Sequence, residues 1–355
     1  MLKALVLCGG KGTRLRPLTY AIPKQLLPVA NKPVIFFILE QIREAGIREI
    51  GLVVSPEQRE QIRAVVSSLD WGVGFTYIEQ DYAGGLAHAV ACARDFLEES
   101  PFLMFLGDNL YQSGVQSFVD DFIASGCAAS LKLAAVKNPR QCGVAIRDNN
   151  NRIVRVVEKP KDPPSNLAIA GIYLFGPVIH EAISQIKPSW RGELEITDAI
   201  QKLIEMGYGV AGDLLEGWWV DTGTWEGMLN ANRLALGQKS AGDVRGLIDE
   251  ASKVTGIVEL GEGSVLQNCI VRGPVALGKN VQAQDSYIGP YASIGDNCSI
   301  ARAGVAFSIL LEGCALDGEV FLSDSIIGAG CKVGKKKTFN PALQLLLADS
   351  SEIQL

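Results

Sequence analysis

The residues best suited to chemistry come first in the chain. Gly9, Gly10 and Gly12 enclose Lys11 and lead into Thr13, Arg14 and Arg16. Glycines let a backbone turn sharply and let a ligand approach its amides, and cations among them suit an anion. Two well-known phosphate loops do not fit. A Walker A loop needs four residues between its first glycine and a Gly-Lys-Ser/Thr. The dinucleotide fingerprint needs Gly-x-Gly-x-x-Gly opening a helix. Here Leu15 stands at the last of those positions, and Pro17 and Pro23 disfavour an immediate helix. On the glycines alone, a plain strand–turn with solvated cations would look the same. The charge distribution argues for more. The 355-residue chain has a net charge of -6, yet Lys3, Lys11, Arg14, Arg16, Lys24 and Lys32 all precede the first acid, Glu40. An acid-free segment in an acidic protein points to a local anion site. A nucleoside triphosphate fits it better than a nucleic acid, because the chain as a whole repels a polyanion.

These side chains need elements to hold them. Residues 2–8 are mostly Leu, Val and Ala, which suits a strand covered on both faces that delivers the glycines at its end. Strands are predicted at 2–8, 50–54, 74–78, 102–106 and 129–136, and helices at 33–45, 57–69, 86–98 and 115–124. This alternation implies βαβ units, a mainly parallel sheet and an α/β domain. Ligands then lie beyond the carboxyl ends of the strands. The glycine loop and Gly107-Asp108-Asn109 both sit at such ends. After Gly237 the character changes. Leu260-Gly261, Leu277-Gly278, Ile288-Gly289, Ile294-Gly295, Ile327-Gly328 and Val333-Gly334 recur, at intervals of 6 (288 to 294, 327 to 333) and near 18 (260 to 277). That is the hexapeptide pattern of a β-helix. Each short strand buries one aliphatic residue, glycine helps form the corners, and rungs stack because none can bury itself alone. The tail, 335–355, opens with three lysines and holds the apolar run Leu343–Leu347. It is expected to add a last strand or helix to the coil.

Composition excludes several classes. Hydrophobic residues make up 48% and charged residues 20%, as in an ordinary globular protein. No apolar run approaches the length of a membrane span, and the first ten residues do not read as a signal peptide, so a cytoplasmic location is expected. The eight cysteines (8, 92, 127, 142, 269, 298, 314, 331) form no CxxC pair and read as reduced, small apolar fillers. With only two histidines, His88 and His180, a His-based metal cage or a Ser-His-Asp machine is not expected.

Taken together, the motifs carry a family likeness. Gly9-Gly-x-Gly-Thr-Arg-Leu-x-Pro-Leu-Thr19 and Pro23-Lys-Gln-Leu-Leu-Pro28 are joined by Gln80…Gly85-Leu-Ala, Gly107-Asp-Asn109, Glu158-Lys-Pro160, Arg191-Gly-Glu-Leu-Glu-Ile-Thr-Asp198 and Trp219-Val-Asp-Thr-Gly-Thr224. The set resembles the signature of sugar-1-phosphate nucleotidylyltransferases, and most of all bacterial glucose-1-phosphate thymidylyltransferases of the long type. The likeness covers residues 1–236, and the appended coil also suits the long type. It implies a Rossmann-like nucleotidyltransferase domain over 1–237, a connector over 238–252 and a left-handed parallel β-helix over 253–355. It also implies Mg²⁺-dependent transfer of a thymidylyl group from dTTP to glucose 1-phosphate. The products would be dTDP-glucose and pyrophosphate, formed by direct in-line displacement without a covalent enzyme intermediate.

The same likeness implies roles for single residues. Leu7, Gly9, Gly10, Gly12, Thr13, Arg14, Gln25, Gln80, Gly85 and Asp108 would bind the nucleotide. Among them Thr13 and Arg14 would hold the departing pyrophosphate, the Gln80 amide and the Gly85 backbone would read a pyrimidine, and Gln25 would lie near the base or ribose. Lys24 would neutralise phosphate charge, and Asp108 and Asp221 would bind Mg²⁺. Glu158 would face the sugar hydroxyls and Lys159 the sugar phosphate, with Gly143, Tyr173 and Arg191 lining the same side. Arg14, Lys24, Asp108, Lys159 and Asp221 form the implied catalytic set. Glu193 and Glu195 read as structural, because the phosphate nucleophile is already ionised. Cys142 stands where the family often has an aromatic residue, so the packing around the sugar departs from the pattern there. Uridylyl transfer, or another hexose 1-phosphate, is the alternative within the class. A coil that acetylates an amino sugar is disfavoured, since neither histidine lies in it. A non-catalytic regulatory homologue is disfavoured because the catalytic set is complete. A homo-oligomer without nucleic-acid or membrane partners is expected. The coil carries no evident catalytic group, so its loss is expected to change assembly and stability more than chemistry.

Overall fold

The computed structural model describes residues 1–334; the tail expected to extend the coil lies outside them. The described residues form two compact units, one of residues 1–11, 23–26 and 34–220, the other of 12–22, 27–33 and 221 onward.

The first unit is built on a nine-stranded sheet. Its main path runs Ile153–Glu158, Gly143–Arg147, Leu167–Phe175, Phe102–Leu106, Lys3–Leu7, Glu49–Val54 and Gly74–Glu79; Ala129–Ala135 flanks Leu167–Phe175 and is itself flanked by Val210–Leu214. Four of the strands predicted from the alternation pair in parallel around Lys3–Leu7, while the fifth, Ala129–Ala135, lies antiparallel to Leu167–Phe175 and parallel only to Val210–Leu214. Leu167–Phe175 runs antiparallel to its neighbours and joins that half to the rest. Side chains alternate across a strand. Leu5, Leu7, Phe102 and Met104 therefore enter one apolar cluster, while Ala4, Val6, Leu103 and Phe105 enter the cluster on the other face. Helix Val34–Glu44 covers the second face with Ile35, Ile38, Leu39 and Ile42.

The second unit contains a left-handed parallel β-helix of three stacked sheets, with six, six and five strands among the described residues. Register pairs such as Val258↔Val275, Val265↔Gln282 and Ile270↔Tyr287 lie one rung apart, and the hydrogen bonds between rungs span 17 residues. Leu266, Val271, Leu277, Ala283, Ile288, Ile294 and Ile300 stack inside. The recurring glycines owe their place to closeness rather than to turn conformation: a Cβ on Gly261 would stand 2.4 Å from the Gly278 carbonyl oxygen of the next rung. The left-handed conformation is found elsewhere in the coil, at non-glycine residues such as Asn268, Asp285, Arg302 and Glu319 and at other glycines such as Gly256, Gly263 and Gly313. Helix Trp225–Gly237, capped by the Thr224 hydroxyl, belongs to this unit. Its buried Asn232 accepts from the Ala30 amide at 2.8 Å and the Ser293 hydroxyl at 2.6 Å, and donates to the Tyr291 carbonyl at 2.9 Å. Asn31 donates to the carbonyls of Ile294 and Ala276 at 2.8 and 3.1 Å.

Candidate active site

In the first unit, strands Lys3–Leu7 and Phe102–Leu106 end side by side. The Cys8 amide donates to Val53 at 2.7 Å and the Gly107 amide to Leu7 at 2.9 Å, which ties the strand ends together. Beyond them is a cavity of about 220 Å³ whose wall brings together Leu7, Gly9, Gly10, Lys24, Gln80, Gly85 and Asp108. Two glycines stand close to their neighbours, and the second is required by space. A Cβ on Gly9 would stand 2.8 Å from Gln80 Oε1. Gly85 has a φ of +97°, and a Cβ there would lie 2.4 Å from the Leu194 carbonyl oxygen, so neither conformation nor room admits another residue. Lys24 Nζ donates to Asp108 Oδ2, with the two side chains 16% and 13% exposed. Asn109 Nδ2 donates to the other oxygen at 2.9 Å and is itself fixed through its own oxygen by Trp219 Nε1 at 2.5 Å. Burial alone would raise the Asp108 carboxyl. The charge and hydrogen bond of Lys24, then the Asn109 amide, outweigh it and hold the group below the usual carboxylate range. Burial, then the Asp108 charge, pushes the neighbouring Cys8 thiol up to about 12, so it is no nucleophile. Gln25 is fully buried and braces this loop by donating to the Cys8 carbonyl at 2.9 Å.

A second cavity of the same unit, about 480 Å³, has Arg155, Glu158, Trp190, Glu195 and Asp198 in its wall. Glu158 faces Gly143 across an antiparallel pair and accepts from the Thr197 hydroxyl at 3.1 Å. Lys159 Nζ lies 3.5 Å from Glu158. Arg191 lies 3.5 Å from Glu158 and 3.6 Å from Glu195, and donates to Glu193 at 2.7 Å. Burial raises the carboxyls of Glu195 and Asp198, and the Ser189 hydroxyl on Glu195 only partly offsets this. Tyr173 is 3% exposed, packed in the sheet with its ring 5.7 Å from Phe175. Burial, then Glu158, drives its hydroxyl above its ordinary value. Neither Gln25 nor Tyr173 is in the wall of either cavity.

In the second unit, Gly12 leads into a single 3₁₀ turn, Thr13–Leu15. Arg14 Nη2 lies 3.5 Å from Asp221 Oδ2, with the side chains 58% and 44% exposed, and Asp221 Oδ1 accepts from the Gly223 amide at 2.7 Å. Among the described residues no group of three or more His, Cys, Asp or Glu gathers as a metal cage. Asp108 and Asp221, one in each unit, are hard oxygen donors. Mg²⁺ takes one or two carboxylates of this kind and fills its shell with phosphate oxygens and water, so the donor chemistry fits that ion.

A nucleotidyl transferase family model matches residues 3–238, and a GMPPB C-terminal domain model matches 271–343. The glucose-1-phosphate thymidylyltransferase of Streptomyces griseus is 43% identical over 354 residues, covering 100% of this chain and 99% of its own. The chain belongs to the glucose-1-phosphate thymidylyltransferase family. The low-salt glycan biosynthesis nucleotidyltransferase Agl11 of Haloferax volcanii is 41% identical over 358 residues, 100% of both chains. Among solved structures, one from Bacillus anthracis, described as a glucose-1-phosphate thymidylyltransferase in complex with a sucrose, superposes with a TM-score of 0.62. It is 35% identical and covers 66% of this chain and 95% of its own.

In this member of the thymidylyltransferase family, three further residues touch the predicted ones. Asn109 holds Asp108. Gly223 leaves room for Arg14, since a Cβ there would stand 2.7 Å from Arg14 Nη2. His88 lies 3.1 Å from Gln80. The sequence carries a signal for His88: it follows Gly85 by three residues on helix Leu86–Cys92, one turn on.

Proposed function

We propose that the chain is a Mg²⁺-dependent thymidylyltransferase that makes dTDP-glucose and pyrophosphate from dTTP and glucose 1-phosphate. The observation that carries this reading is the small cavity at the strand ends, where the uncharged pair Gln80 and Gly85 shares a wall with the Lys24–Asp108 couple. A base and a phosphate need those two chemistries side by side. An oxygen of the sugar phosphate, already ionised, attacks the α-phosphorus. A P–O bond forms, the bond to the bridging oxygen breaks, and pyrophosphate leaves with its electron pair. Thr13 and Arg14 hold the pyrophosphate, and Lys24 neutralises phosphate charge. Glu158 and Lys159 bind the sugar hydroxyls and its phosphate, with Gly143 and Arg191 on that side, while the buried Tyr173 packs beneath them in the sheet. Family membership implies a divalent-metal-using nucleotidyltransferase with nucleotide-sugar substrates. Asp108 and Asp221 are the carboxylates proposed for Mg²⁺, which when bound supplies positive charge to phosphate oxygens. Among the described residues no helix is long and apolar enough to cross a membrane; the proposed setting is the cytoplasm, as a homo-oligomer.

The test is a panel of dTTP, UTP, ATP and GTP against several hexose 1-phosphates, with pyrophosphate release as readout. Thymine and uracil differ by one methyl group, so UTP should be poorer by about 10–200-fold, and purine triphosphates nearly inert. A preference for ATP or GTP overturns the reading.

A further inference from the structure

A chain of hydrogen bonds leads away from the small cavity. Gln80 Nε2 stands 3.1 Å from the Gly85 carbonyl oxygen and 3.1 Å from His88 Nδ1. A carbonyl oxygen only accepts, so the Gln80 atom beside it is the amide nitrogen, donating there. Its second hydrogen is then directed at His88 Nδ1, which must be the ring nitrogen without a proton. The ring proton stands on Nε2, 3.7 Å from Cys92 Sγ. Burial, then Asp81, raises the Cys92 thiol, which keeps its proton and serves as a weak acceptor. The His88 ring also packs on Tyr82, with centroids 4.4 Å apart. Both Gln80 amide hydrogens are thus used inside the protein. What remains is Oε1, which lies against Gly9 in the cavity wall and, among the described residues, accepts no hydrogen bond.

We propose that His88 is a positioning residue for base choice: it takes the second Gln80 amide hydrogen and so presents Oε1 alone, a pure acceptor, to the incoming base. The proposal rests on the base-binding reading of this cavity. Thymine and uracil offer N3–H and are accepted. Cytosine has a lone pair at N3 and meets Oε1 acceptor to acceptor. A free glutamine amide would simply turn over to suit cytosine. Here turning it over sets Oε1 against the Gly85 carbonyl and against His88 Nδ1 together, and each loses a hydrogen bond.

Steady-state kinetics with dTTP and dCTP test this on the parent, His88→Ala, His88→Phe, His88→Asn, Gln80→Ala and the double variant Gln80→Ala/His88→Ala. Phe keeps the ring against Tyr82 without the acceptor; the Asn oxygen can replace Nδ1 as acceptor. His88→Ala and His88→Phe should each raise KM for dTTP about tenfold and narrow the dTTP-over-dCTP preference about tenfold, with kcat within about threefold. His88→Asn should restore most of both. In the Gln80→Ala background His88→Ala should add nothing, because it acts through Gln80. Thermal midpoints identify any variant that fails to fold, and the Phe–Asn pair decides the matter if Ala does so. An unchanged KM and preference in folded His88→Phe, an Asn variant no better than Phe, or additive effects in the double variant would overturn the role of His88. If Gln80→Ala itself leaves KM for dTTP unchanged, the base-binding reading of the cavity falls, and the proposal with it. A raised KM in Gln80→Ala beside an unaffected His88→Phe removes only His88.

Discussion

Lys24 has two partners in prospect: Asp108 in the resting protein, and a phosphate in the proposed reaction. Its pairing makes a pH argument possible. Asp108 has a folded-state pKa below its unfolded value, so its contribution to stability is present above pH ~4 and is lost as pH falls through the folded value. Lys24→Met removes what holds the group down, and burial then pushes the carboxyl up. The variant should be less stable than the parent by about 3 kcal/mol at pH 7. The deficit should shrink as pH falls towards 4, because protonation relieves a buried charge. Urea titrations at several pH values check the sign; a deficit that grows on acidification would refute the pairing. The metal assignment has its own test. Asp108→Asn and Asp221→Asn should each cut kcat by about 100-fold or more with the fold intact, and full activity of either variant at low Mg²⁺ would end it. Part of the cavity wall was legible because the glycine loop and Asp108 follow strand ends where ligands gather, whereas Gln80 and Gly85, the latter at the start of helix Leu86–Cys92, were legible only through the family likeness. The burial of Gln25 and Tyr173 was not, since a polar side chain bracing a loop from inside looks the same in sequence as one facing a ligand.

Elements were legible in proportion to their pattern. The parallel strands follow from short apolar runs between amphipathic helices, and the coil from its phase. Leu167–Phe175 was passed over: nine consecutive residues, nearly all apolar, have no period that separates strand from helix. The corner residues of the coil also escaped, because Asn268, Asp285 and Arg302 share no type and only their spacing joins them. Asn232 is the element-scale feature with most at stake. Replacing it by Ala leaves the Ala30 amide and the Ser293 hydroxyl buried without their acceptor. The expected cost is about 2 kcal/mol, read as a lower midpoint of the urea transition. An unchanged midpoint would show that water replaces the lost bonds.

At the scale of the molecule, residues 12–22 and 27–33 belong to the unit that contains the coil. Leu18 packs beside Gly328, where a Cβ would meet it at 3.3 Å, and Asn31 bonds to Ala276 and Ile294. Loss of the coil was expected to change assembly and stability more than chemistry; these contacts argue for a larger effect on chemistry, because they support the segment that bears Thr13 and Arg14. Deleting residue 251 onward should lower kcat/KM at least about tenfold through misplaced groups. In the reverse reaction KM for pyrophosphate should rise most. Unaltered kinetics in the truncated protein would detach the coil from the site.

Synthesis on the ribosome sets these contacts a timetable. The Ala30 amide must wait for Asn232, 202 residues later, and Asn31 for Ala276, 245 residues later. At about 5–20 residues per second, the wait is roughly 10–50 s. Through that interval the strand Lys3–Leu7 can already pair with Glu49–Val54 and Phe102–Leu106, while the basic glycine segment between them has emerged without its partners. A nascent chain stalled before Asn232 should therefore be cut by protease within residues 12–22 or 27–33 while its sheet resists. The same segment should become protected only once the first rungs of the coil have left the exit tunnel.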